Sequence, residues 1–205
     1  MNTNYRIVEI FESLQGEGYN TGMPAIFLRF GKCNLSCKWC DTEYNNFTIW
    51  TLEEILGELS RYQTRNIIIT GGEPTIQPHL SKLLSILKKQ GYFLAIESNG
   101  LKPIPVEIDY IALSPKRAYI DIYRNKPYQI AHEVRLIVDS EIRPFCELIE
   151  DKIKANNYYL SPCEQSGVTN IRETVEQLGQ LNARHDISKP HWRLSIQIHK
   201  LLGIR

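Results

Sequence analysis

Three cysteines stand close together early in the chain, at Cys33, Cys37 and Cys40, in the spacing C-x3-C-x2-C. Thiolates at such short spacing converge on one centre, which indicates metal ligands in place of a disulfide framework. The other two of the five cysteines, Cys146 and Cys163, lie far downstream. An odd number of cysteines, three of them clustered, favours a reducing compartment, and we therefore expect a cytoplasmic protein.

Three thiolates complete neither of the common metal sites on their own. A structural zinc ion takes four protein ligands, and the fourth would come from Cys146, Cys163 or a histidine. An iron–sulfur cubane usually takes four cysteines, one for each iron. With three cysteines one iron stays open, and it can chelate the amino and carboxylate groups of S-adenosylmethionine. Zinc, and buried thiols without a metal, remain the alternatives at this point.

Three further segments each follow an apolar run. Gly-Gly-Glu-Pro at 71–74 comes after the run 66–70, and its glycines lack the β-carbons that would keep a ligand away from the backbone. Ser-Asn-Gly at 98–100 and Ser-Pro-Lys at 114–116 carry small hydroxyl groups suited to ribose hydroxyls or a carboxylate. Each segment alone is typical of a turn. Their order after the cysteines indicates a binding site.

This combination resembles the radical S-adenosylmethionine superfamily, in which a 4Fe-4S cluster donates an electron to the sulfonium of S-adenosylmethionine. The resemblance implies cleavage of that cofactor to methionine and a 5'-deoxyadenosyl radical, with Cys33, Cys37 and Cys40 as cluster ligands. It also implies that the Gly-Gly-Glu-Pro motif contacts the cofactor's amino group. The cofactor-binding residues that it implies are Trp39, Asp41, Gly72, Glu73, Ser98, Ser114, Pro115, Lys116, Ser161 and Pro162.

A second polar segment, Leu-Gln-Gly-Glu-Gly at 14–18, lies before the cysteines and follows the first apolar run. The amide of Gln15 and the carboxylate of Glu17 suit the donor and acceptor edge of a pterin. Arg29, in the second run, could clamp a carboxylate through two hydrogen bonds. Without the neighbouring cysteines, a polar glycine loop of this kind is a solvated turn.

The LQGEG segment, with Cys40-Asp41-Thr42 closing the cluster loop, closely resembles the 7-carboxy-7-deazaguanine synthase family of the queuosine pathway. The resemblance implies conversion of 6-carboxy-5,6,7,8-tetrahydropterin to 7-carboxy-7-deazaguanine with loss of ammonia. It implies no catalytic side chain beyond the cluster and S-adenosylmethionine, and it implies Mg2+ on Thr42, a hard ion suited to a hydroxyl oxygen. The substrate contacts that it implies are Leu14, Gln15, Gly16, Glu17, Arg29, Thr70, His199 and Arg205.

The resemblance extends to the end of the chain, where 194–205 resembles the family's final strand and tail. It further implies a homodimer and a flavodoxin-like or ferredoxin-like reductant. Two alternatives stand beside it. A glycyl-radical-enzyme activase shares the cysteine spacing but acts on a protein, and it should lack LQGEG and the Q-x-H-K tail. A non-enzymatic zinc-binding module should be colourless and show no turnover.

The elements that must position these residues can be read from the apolar pattern. Eight extended, β-rich runs lie at 5–12, 25–30, 66–70, 92–98, 108–114, 133–139, 158–162 and 192–196. Several are almost wholly apolar, as are strands covered on both faces. Apolar residues recur at helical spacing over 52–59, 80–87 and 171–181, and Thr51 followed by Glu53 and Glu54 predicts a helix start.

Strand and helix alternate from about residue 50, which predicts βαβ units whose working residues lie at the carboxyl ends of the strands. A complete eight-unit barrel takes about 250 residues. The 205 residues of this chain therefore favour an α/β fold with a partial βα barrel and a mainly parallel, curved sheet. We expect one domain over 1–205, with the cluster loop at 33–42, and loops at 101–107, 118–124 and 186–190.

Composition narrows the class of partner. The chain has 24 Lys and Arg against 23 Asp and Glu, a net charge of +1. Such a balance creates no field that would gather nucleic acid or an anionic membrane surface. No run approaches the roughly 18 apolar residues of a membrane span, and the start lacks the pattern of a signal peptide. The expected partner is a small molecule.

Overall fold

A computed structural model describes residues 3–165 and 167–204. No helix among these residues is long and apolar enough to cross a membrane. The helices are α1 (Leu52–Leu59), α2 (Leu80–Lys89), α3 (Ile120–Arg124), α4 (Arg143–Lys152), α5 (Ile171–Asn182) and α6 (Ile198–Leu202), with short 3-10 turns at Pro74–Ile76 and Arg117–Tyr119. The strands are β1 (Asn4–Leu14), β2 (Pro24–Phe30), β3 (Thr48–Thr51), β4 (Asn66–Gly71), β5 (Phe93–Ser98), β6 (Tyr110–Leu113), β7 (Gln129–Ile130), β8 (Glu133–Val138), β9 (Ile153–Lys154), β10 (Asn157–Pro162), β11 (Glu164–Gln165), β12 (Val168–Thr169) and β13 (Trp192–Leu194).

Nine of the strands form one sheet in the order β13-β10-β8-β6-β5-β4-β2-β1-β3. From β2 to β13 every neighbouring pair is parallel, whereas β1 runs antiparallel to both β2 and β3. Strands β3 and β13 lie at opposite edges, so the sheet does not close into a barrel. The predicted partial βα barrel with a mainly parallel, curved sheet is confirmed.

The eight predicted strands and three predicted helices are all present, with small shifts at their ends. Helix α1 begins as the sequence predicts, because Thr51 and Glu54 form a reciprocal cap: the Glu54 amide donates to the Thr51 hydroxyl at 3.2 Å, and the Thr51 amide donates to the Glu54 carboxylate at 2.7 Å. Such a cap satisfies two amides that the first helical turn leaves without partners.

The interpretation of 118–124 as a surface loop was wrong. This segment contains the end of a 3-10 turn and helix α3. Its Tyr123 is buried, packs edge-on against Phe145 of α4 and donates a hydrogen bond to the carbonyl of Asn99 at 2.8 Å. A single tyrosine anchor holds this short helix, and one anchor is too weak a pattern to predict a helix from sequence.

The two faces of the sheet carry different side chains. On the outer face, alternate residues such as Ile67 and Ile69 pack against α1 and α2, and Val134 and Leu136 pack with α3, α4 and α5. We call the opposite side the inner face. There Ala25, Ile68 and Ala95 form a smaller apolar cluster, and Thr70, Glu97 and Arg135 line a cavity. Because successive side chains of a strand alternate, one strand serves the core and the cavity together.

Parallel pairing brings the carboxyl ends of β2, β4, β5 and β6 to the same side of the sheet, which we call its carboxyl end. The loop that holds the cysteines follows β2, and the Gly-Gly pair, Ser98 and Ser114 end or follow the next three strands. The predicted binding segments are therefore neighbours, as expected for an open parallel sheet.

Candidate active site

A cavity of about 730 Å³ opens at the carboxyl ends of the parallel strands, and this volume is typical of small-molecule sites. Its walls come from the inner face, the cluster loop and the tail around α6. The predicted residues that line it are Leu14, Gln15, Gly16, Glu17, Arg29, Thr70 and His199 among the substrate contacts, Trp39, Asp41, Gly72, Ser98, Ser114 and Lys116 among the cofactor contacts, and Cys33, Cys37, Cys40 and Thr42 among the metal ligands.

Four predicted residues are placed differently. Within the described part of the chain, Glu73, Pro115, Ser161 and Pro162 lie at or near strand ends but do not line the cavity. The predicted substrate contact Arg205 lies outside the described residues.

The cluster loop is held from three directions. Lys32 has a left-handed backbone, with φ of 72°, and its amide donates to the Tyr44 carbonyl at 2.8 Å, which closes the base of the loop. The Ser36 amide donates to the Tyr119 hydroxyl at 2.9 Å, and the Asn99 side chain donates to Asn34 at 2.8 Å. These contacts tie the loop to the segments after β5 and β6. The loop contains no helix, as its compact length predicts.

The three cysteines lie on one wall of the cavity. Burial is the main cause that raises the pKa of the Cys33 and Cys37 thiols, and at Cys37 the ammonium of Lys116 opposes it. Charge on the neighbouring thiols raises both pKa values further. A bound metal relieves this cost because it takes the thiolate as ligand. The donor set therefore fits a soft, iron-containing group.

The expectation that the three thiolates converge on one centre is not met in the form of a site for a single ion. Among the described residues, no three His, Cys, Asp or Glu side chains surround a position for a single metal ion. A cubane binds each cysteine at a different iron, so its ligands stand farther apart than those of one zinc ion.

The Gly-Gly pair packs directly against the cluster loop. A β-carbon on Gly72 would lie 2.1 Å from the Lys32 carbonyl oxygen, and one on Gly71 would lie 2.1 Å from that of Phe30. The Glu73 amide donates to the same Lys32 carbonyl at 2.9 Å. Glycine is required here for the approach of two backbones, and this contact places Gly72 in the cavity wall beside the cysteines.

Glu73 supports the site from behind. Its side chain is buried, and its carboxylate accepts hydrogen bonds from the Ser98 hydroxyl and the Asn99 amide, each at 2.8 Å. It also caps the 3-10 turn by accepting from Thr75. The glutamate of the motif therefore fixes the carboxyl end of β5, whose Ser98 and Asn99 do line the cavity.

The inner face carries a buried group of charges around Arg135 of β8. Its guanidinium lies 2.9 Å from Glu17, 2.6 Å from Glu97 and 2.9 Å from Glu133, and the Arg135 side chain is only 5% exposed. Burial acts to lower the pKa of Arg135, but the three carboxylates outweigh it and raise that pKa. Burial likewise acts to raise the pKa of Glu97, and Arg135 reverses the direction, so this pKa lies below its ordinary value.

Amide side chains connect this group to the loop and the tail. Gln15 donates to Glu97 at 2.7 Å and accepts from the Glu17 amide at 3.1 Å. Gln197 donates to the second oxygen of Glu17 at 2.8 Å. The LQGEG segment is thus a structured wall of the cavity, and the interpretation as a solvated turn does not apply to it.

A second cation of the cavity, Arg29, lies on β2. Arg29 pairs with Glu9 at 2.9 Å and stands over the Phe11 ring, with 5.9 Å between the guanidinium carbon and the ring centre. Thr70 of β4 lies beside Arg29 in the sheet register. The exposed part of this pair faces the cavity, where a bidentate donor suits an anionic group.

The tail after β13 covers the cavity. The Ile198 amide donates to the Gly16 carbonyl at 3.0 Å, and the Lys200 ammonium donates to Asp41 of the cluster loop at 2.7 Å. His199 packs on Gly16 so closely that a β-carbon there would lie 2.0 Å from the histidine Nδ1 atom. The tail therefore joins the LQGEG segment to the cluster loop.

Sequence reasoning missed several polar residues of the cavity, among them Glu97, Arg135, Gln197 and Lys200. A signal existed for two of them. Glu97 and Arg135 are charged residues inside the apolar runs YFLAIES and EVRLIVD. A charge at an alternate position of a buried strand indicates a face that meets a ligand or a paired charge.

Comparison with known proteins tests these interpretations. Residues 28–127 match the family model of the Radical SAM superfamily. A 7-carboxy-7-deazaguanine synthase from Neisseria meningitidis serogroup B is 60% identical over 203 residues, covering 99% of this chain and 95% of that protein. The chain belongs to the 7-carboxy-7-deazaguanine synthase family. A family member from Bacteroides thetaiotaomicron is 39% identical over 98% of both chains. The crystal structure of QueE from Escherichia coli matches with a TM-score of 0.68 and 27% identity, over 95% of this chain and 94% of that one.

Membership of the 7-carboxy-7-deazaguanine synthase family confirms the predicted radical S-adenosylmethionine enzyme and, with it, the 4Fe-4S cluster and S-adenosylmethionine as cofactors. It also confirms a small-molecule substrate and the need for a reductant. The glycyl-radical-enzyme activase and the zinc-binding module are excluded, because the identity extends over almost the whole chain.

Proposed function

We propose that this protein converts 6-carboxy-5,6,7,8-tetrahydropterin to 7-carboxy-7-deazaguanine with loss of ammonia. The observation that carries the proposal is one cavity that joins the three cysteines to the LQGEG segment and to Arg29. Cluster ligands and groups suited to a pterin carboxylate thus face the same volume. The family membership of the chain supports the same reaction.

The LQGEG segment and the inner face would bind the pterin ring. The ring's amino and ring N–H groups are donors, and the carboxylates of Glu17 and Glu97 are acceptors on the cavity wall. Leu14 and Gly16 give this wall an apolar surface and a close backbone approach. Gln15 holds the Glu97 carboxylate through its amide N–H group, and its amide oxygen accepts from the backbone N–H of Glu17.

Arg29 would bind the substrate carboxylate, with Thr70 beside it on β4. We include Mg2+ on Thr42 as a second carboxylate partner. Thr42 lines the cavity, as do its chain neighbours Asp41 and Glu43, and oxygen donors of this kind are those that Mg2+ takes.

Cys33, Cys37 and Cys40 would hold the cluster, with Gly72, Ser98, Ser114, Trp39, Asp41 and Lys116 around S-adenosylmethionine. When bound, these cofactors supply the radical chemistry that removes a hydrogen from C6 of the substrate. The chain's own share is to hold that carbon close to the cofactor and to exclude water. Glu73 acts indirectly, because its carboxylate positions Ser98 and Asn99. The contacts of Pro115, Ser161 and Pro162 with the cofactor stay predictions.

The tail would close over the bound substrate, with His199 and Arg205 as contacts. Its attachment to Gly16, Glu17 and Asp41 supports this role. The electron donor would be flavodoxin-like or ferredoxin-like, and the protein a cytoplasmic homodimer. None of the five cysteines, all in the described ranges, forms a disulfide, which is consistent with a reducing compartment.

The test is an anaerobic assay of the protein with a reconstituted cluster, supplied with the carboxytetrahydropterin, S-adenosylmethionine, Mg2+ and a reductant. We expect 7-carboxy-7-deazaguanine by mass spectrometry. Product must depend on each component, and a reaction without the pterin is the control. No product from protein with a full cluster that still cleaves S-adenosylmethionine would refute the proposed substrate.

A further inference from the structure

Arg135 lies where the apolar core of the sheet meets the cavity, and it is the centre of three carboxylates from different segments. Glu133 shares its strand, Glu97 comes from β5, and Glu17 comes from the loop after β1. The side chain of Glu133 is 2% exposed, whereas Glu17 is 20% and Glu97 28% exposed. Two of the three carboxylates therefore reach the cavity, and the third is enclosed.

The charges of this group do not balance. Three carboxylates surround one guanidinium, and each guanidinium nitrogen stands against a different carboxylate. A guanidinium suits this arrangement because its donors form a rigid planar fork and it keeps its charge at any ordinary pH. Carboxylates that share a site without a cation between them cannot both stay ionised, and one pKa rises strongly.

We infer that Arg135 is a positioning residue for substrate recognition: its guanidinium fixes the carboxylates of Glu17 and Glu97 and keeps Glu97 ionised, so that both side chains present acceptors to the N–H groups of the pterin. The inference rests on the proposed function. If Glu97 took up a proton, one of its oxygens would become a donor, and the ring would lose an acceptor there. Arg135 itself touches neither cofactor nor reacting atoms in this role.

Other groups around the two glutamates are too few to replace Arg135. Glu97 also meets Gln15 from the loop and the more distant charge of Arg29 from β2. Glu17 meets Gln197 from the tail and the more distant charge of Lys116. The group is closed on the far side by hydroxyls, since Tyr110 of β6 donates to Glu133 at 2.9 Å, and Tyr159 of β10 also faces it. Among the described residues, Arg29 and Lys116 are the other cations whose charge acts on these two glutamates, and both act from beyond ion-pair distance.

The test compares Arg135→Met with Arg135→Lys and the parent. The methionine removes the charge at similar length, and the lysine keeps one charge without the fork. We expect Arg135→Met to raise KM for the pterin about tenfold and to move the acidic limb of kcat/KM upward by about one pH unit or more, because one glutamate is then protonated near neutrality. In Arg135→Lys the acidic limb of kcat/KM should return toward the parent's pH, because the charge is kept. Its KM for the pterin should stay raised, because the fork is lost.

A second readout needs no substrate. The infrared difference spectrum between pH 8 and pH 6 should show a protonated-carboxyl band in Arg135→Met that is weaker in the parent and in Arg135→Lys. Arg184→Met is the matched control, since Arg184 forms a comparable buried pair with Glu150 at 2.7 Å away from the cavity. It should lower stability without a shift of the acidic limb of kcat/KM, because the carboxylate that it leaves without its guanidinium, Glu150, lies outside the cavity.

The outcomes separate the two claims. A parent that makes no deazaguanine refutes the proposed function, and the infrared readout still decides the role of Arg135. An Arg135→Met variant with an unshifted limb and no carboxyl band refutes the inference, and leaves Arg135 a structural residue like Arg184. If Arg135→Met does not fold, Arg135→Met with Glu133→Gln removes the enclosed negative charge as well, and the same shift of the acidic limb is expected from Glu97.

Discussion

The floor and the roof of the cavity are built in opposite ways. We call the inner-face charges around Arg135 the floor, and the cluster loop with the tail 195–204 the roof. In the floor the central cation is 5% exposed, and two of its three carboxylate partners, Glu97 and Glu133, lie on strands of the sheet, whereas Glu17 lies in the loop after β1. In the roof the ion pair between Lys200 and Asp41 is 37% and 58% exposed, and both residues lie outside the sheet.

This difference separates recognition from access. A floor on paired strands holds its acceptors in one geometry before the substrate arrives, and it therefore contributes to binding without an ordering cost. A roof of loop and tail has weaker, solvent-exposed contacts and can open to admit two large molecules. Changes to the floor should therefore affect recognition strongly, and changes to roof contacts should affect mainly closure.

The largest effect expected is the loss of the cluster, the one part of the roof that the reaction cannot do without. Cys37→Ala removes one of three thiols, so we expect no cluster and no activity. Absorption near 400 nm after anaerobic reconstitution measures the cluster, and product formation measures activity. Cys146→Ala is the control, because Cys146 is buried in the core between helix and sheet and should keep both. A brown, active Cys37→Ala protein would remove Cys37 from the ligand set.

The second effect tests the floor directly. Glu97→Gln keeps the shape of the side chain but removes the charge that Arg135 and Gln15 bind. Hydrogen bonds to a charged group contribute about 1.5–3 kcal/mol, so we expect kcat/KM for the pterin to fall about 10- to 100-fold. Cleavage of S-adenosylmethionine in the absence of pterin should continue. An equal loss in that reaction would place Glu97 in cofactor binding.

The same variant should change stability with a defined pH dependence. The folded-state pKa of Glu97 lies below the ordinary value of 4.5, so its ionised form stabilises the fold above that pH. This contribution is lost as pH falls through the folded-state pKa. The difference in unfolding free energy between the parent and Glu97→Gln should therefore be largest near pH 7 and shrink below about pH 4. Urea unfolding at both pH values measures it, and a constant difference would contradict the ionised state.

A further prediction concerns the contact between Gly16 of the LQGEG segment and His199 of the tail. Gly16→Ala would bring a β-carbon to within 2.0 Å of the His199 side chain, so that side chain must leave its position, either by rotation or with the tail. We expect KM for the pterin to rise about tenfold, because binding groups displaced by about an ångström lose much of their effect. Gly179→Ala is the matched control. It lies in α5 with no atom close to its added carbon and should gain about 0.5–1 kcal/mol of stability with unchanged KM.

The sequence predicted the sheet and the cluster loop of the roof, but it did not predict the charges of the floor. The sheet was predicted from apolar runs, because strands covered on both faces consist almost wholly of apolar residues. The cluster loop followed from cysteine spacing. The floor did not, because Glu97 and Arg135 lie 38 positions apart, and only the order β5-β6-β8 brings them within reach. Sequence shows that a charge interrupts a buried strand, but the partner depends on the order of the strands.

Other misses have local causes. Helix α4 (Arg143–Lys152) was not predicted. It carries a proline in its first turn, and it has few apolar residues, so the pattern of apolar residues at helical spacing extends over too short a segment to indicate a helix. Strand β3 has exposed residues at an edge and pairs only with β1. The Gly-Gly pair was expected to admit a ligand to the backbone. The structure adds that the glycines are needed for contact with Lys32 and Phe30, which only the pairing of β2 with β4 creates.

The smallest effect expected is at the roof's own ion pair. Lys200→Met removes the contact between the tail and Asp41, and exposed pairs of this kind contribute about 0–1 kcal/mol. We therefore expect KM to rise by no more than about fivefold, with kcat unchanged or higher if opening limits release. Raising the salt concentration should raise the parent's KM toward that of the variant, because salt screens exposed charges. Lys189→Met, which removes an exposed pair with Asp151 away from the cavity, should leave both constants and their salt dependence unchanged. A loss as large as that of Glu97→Gln would show that the roof is as preorganised as the floor, and the division between recognition and access would then fail.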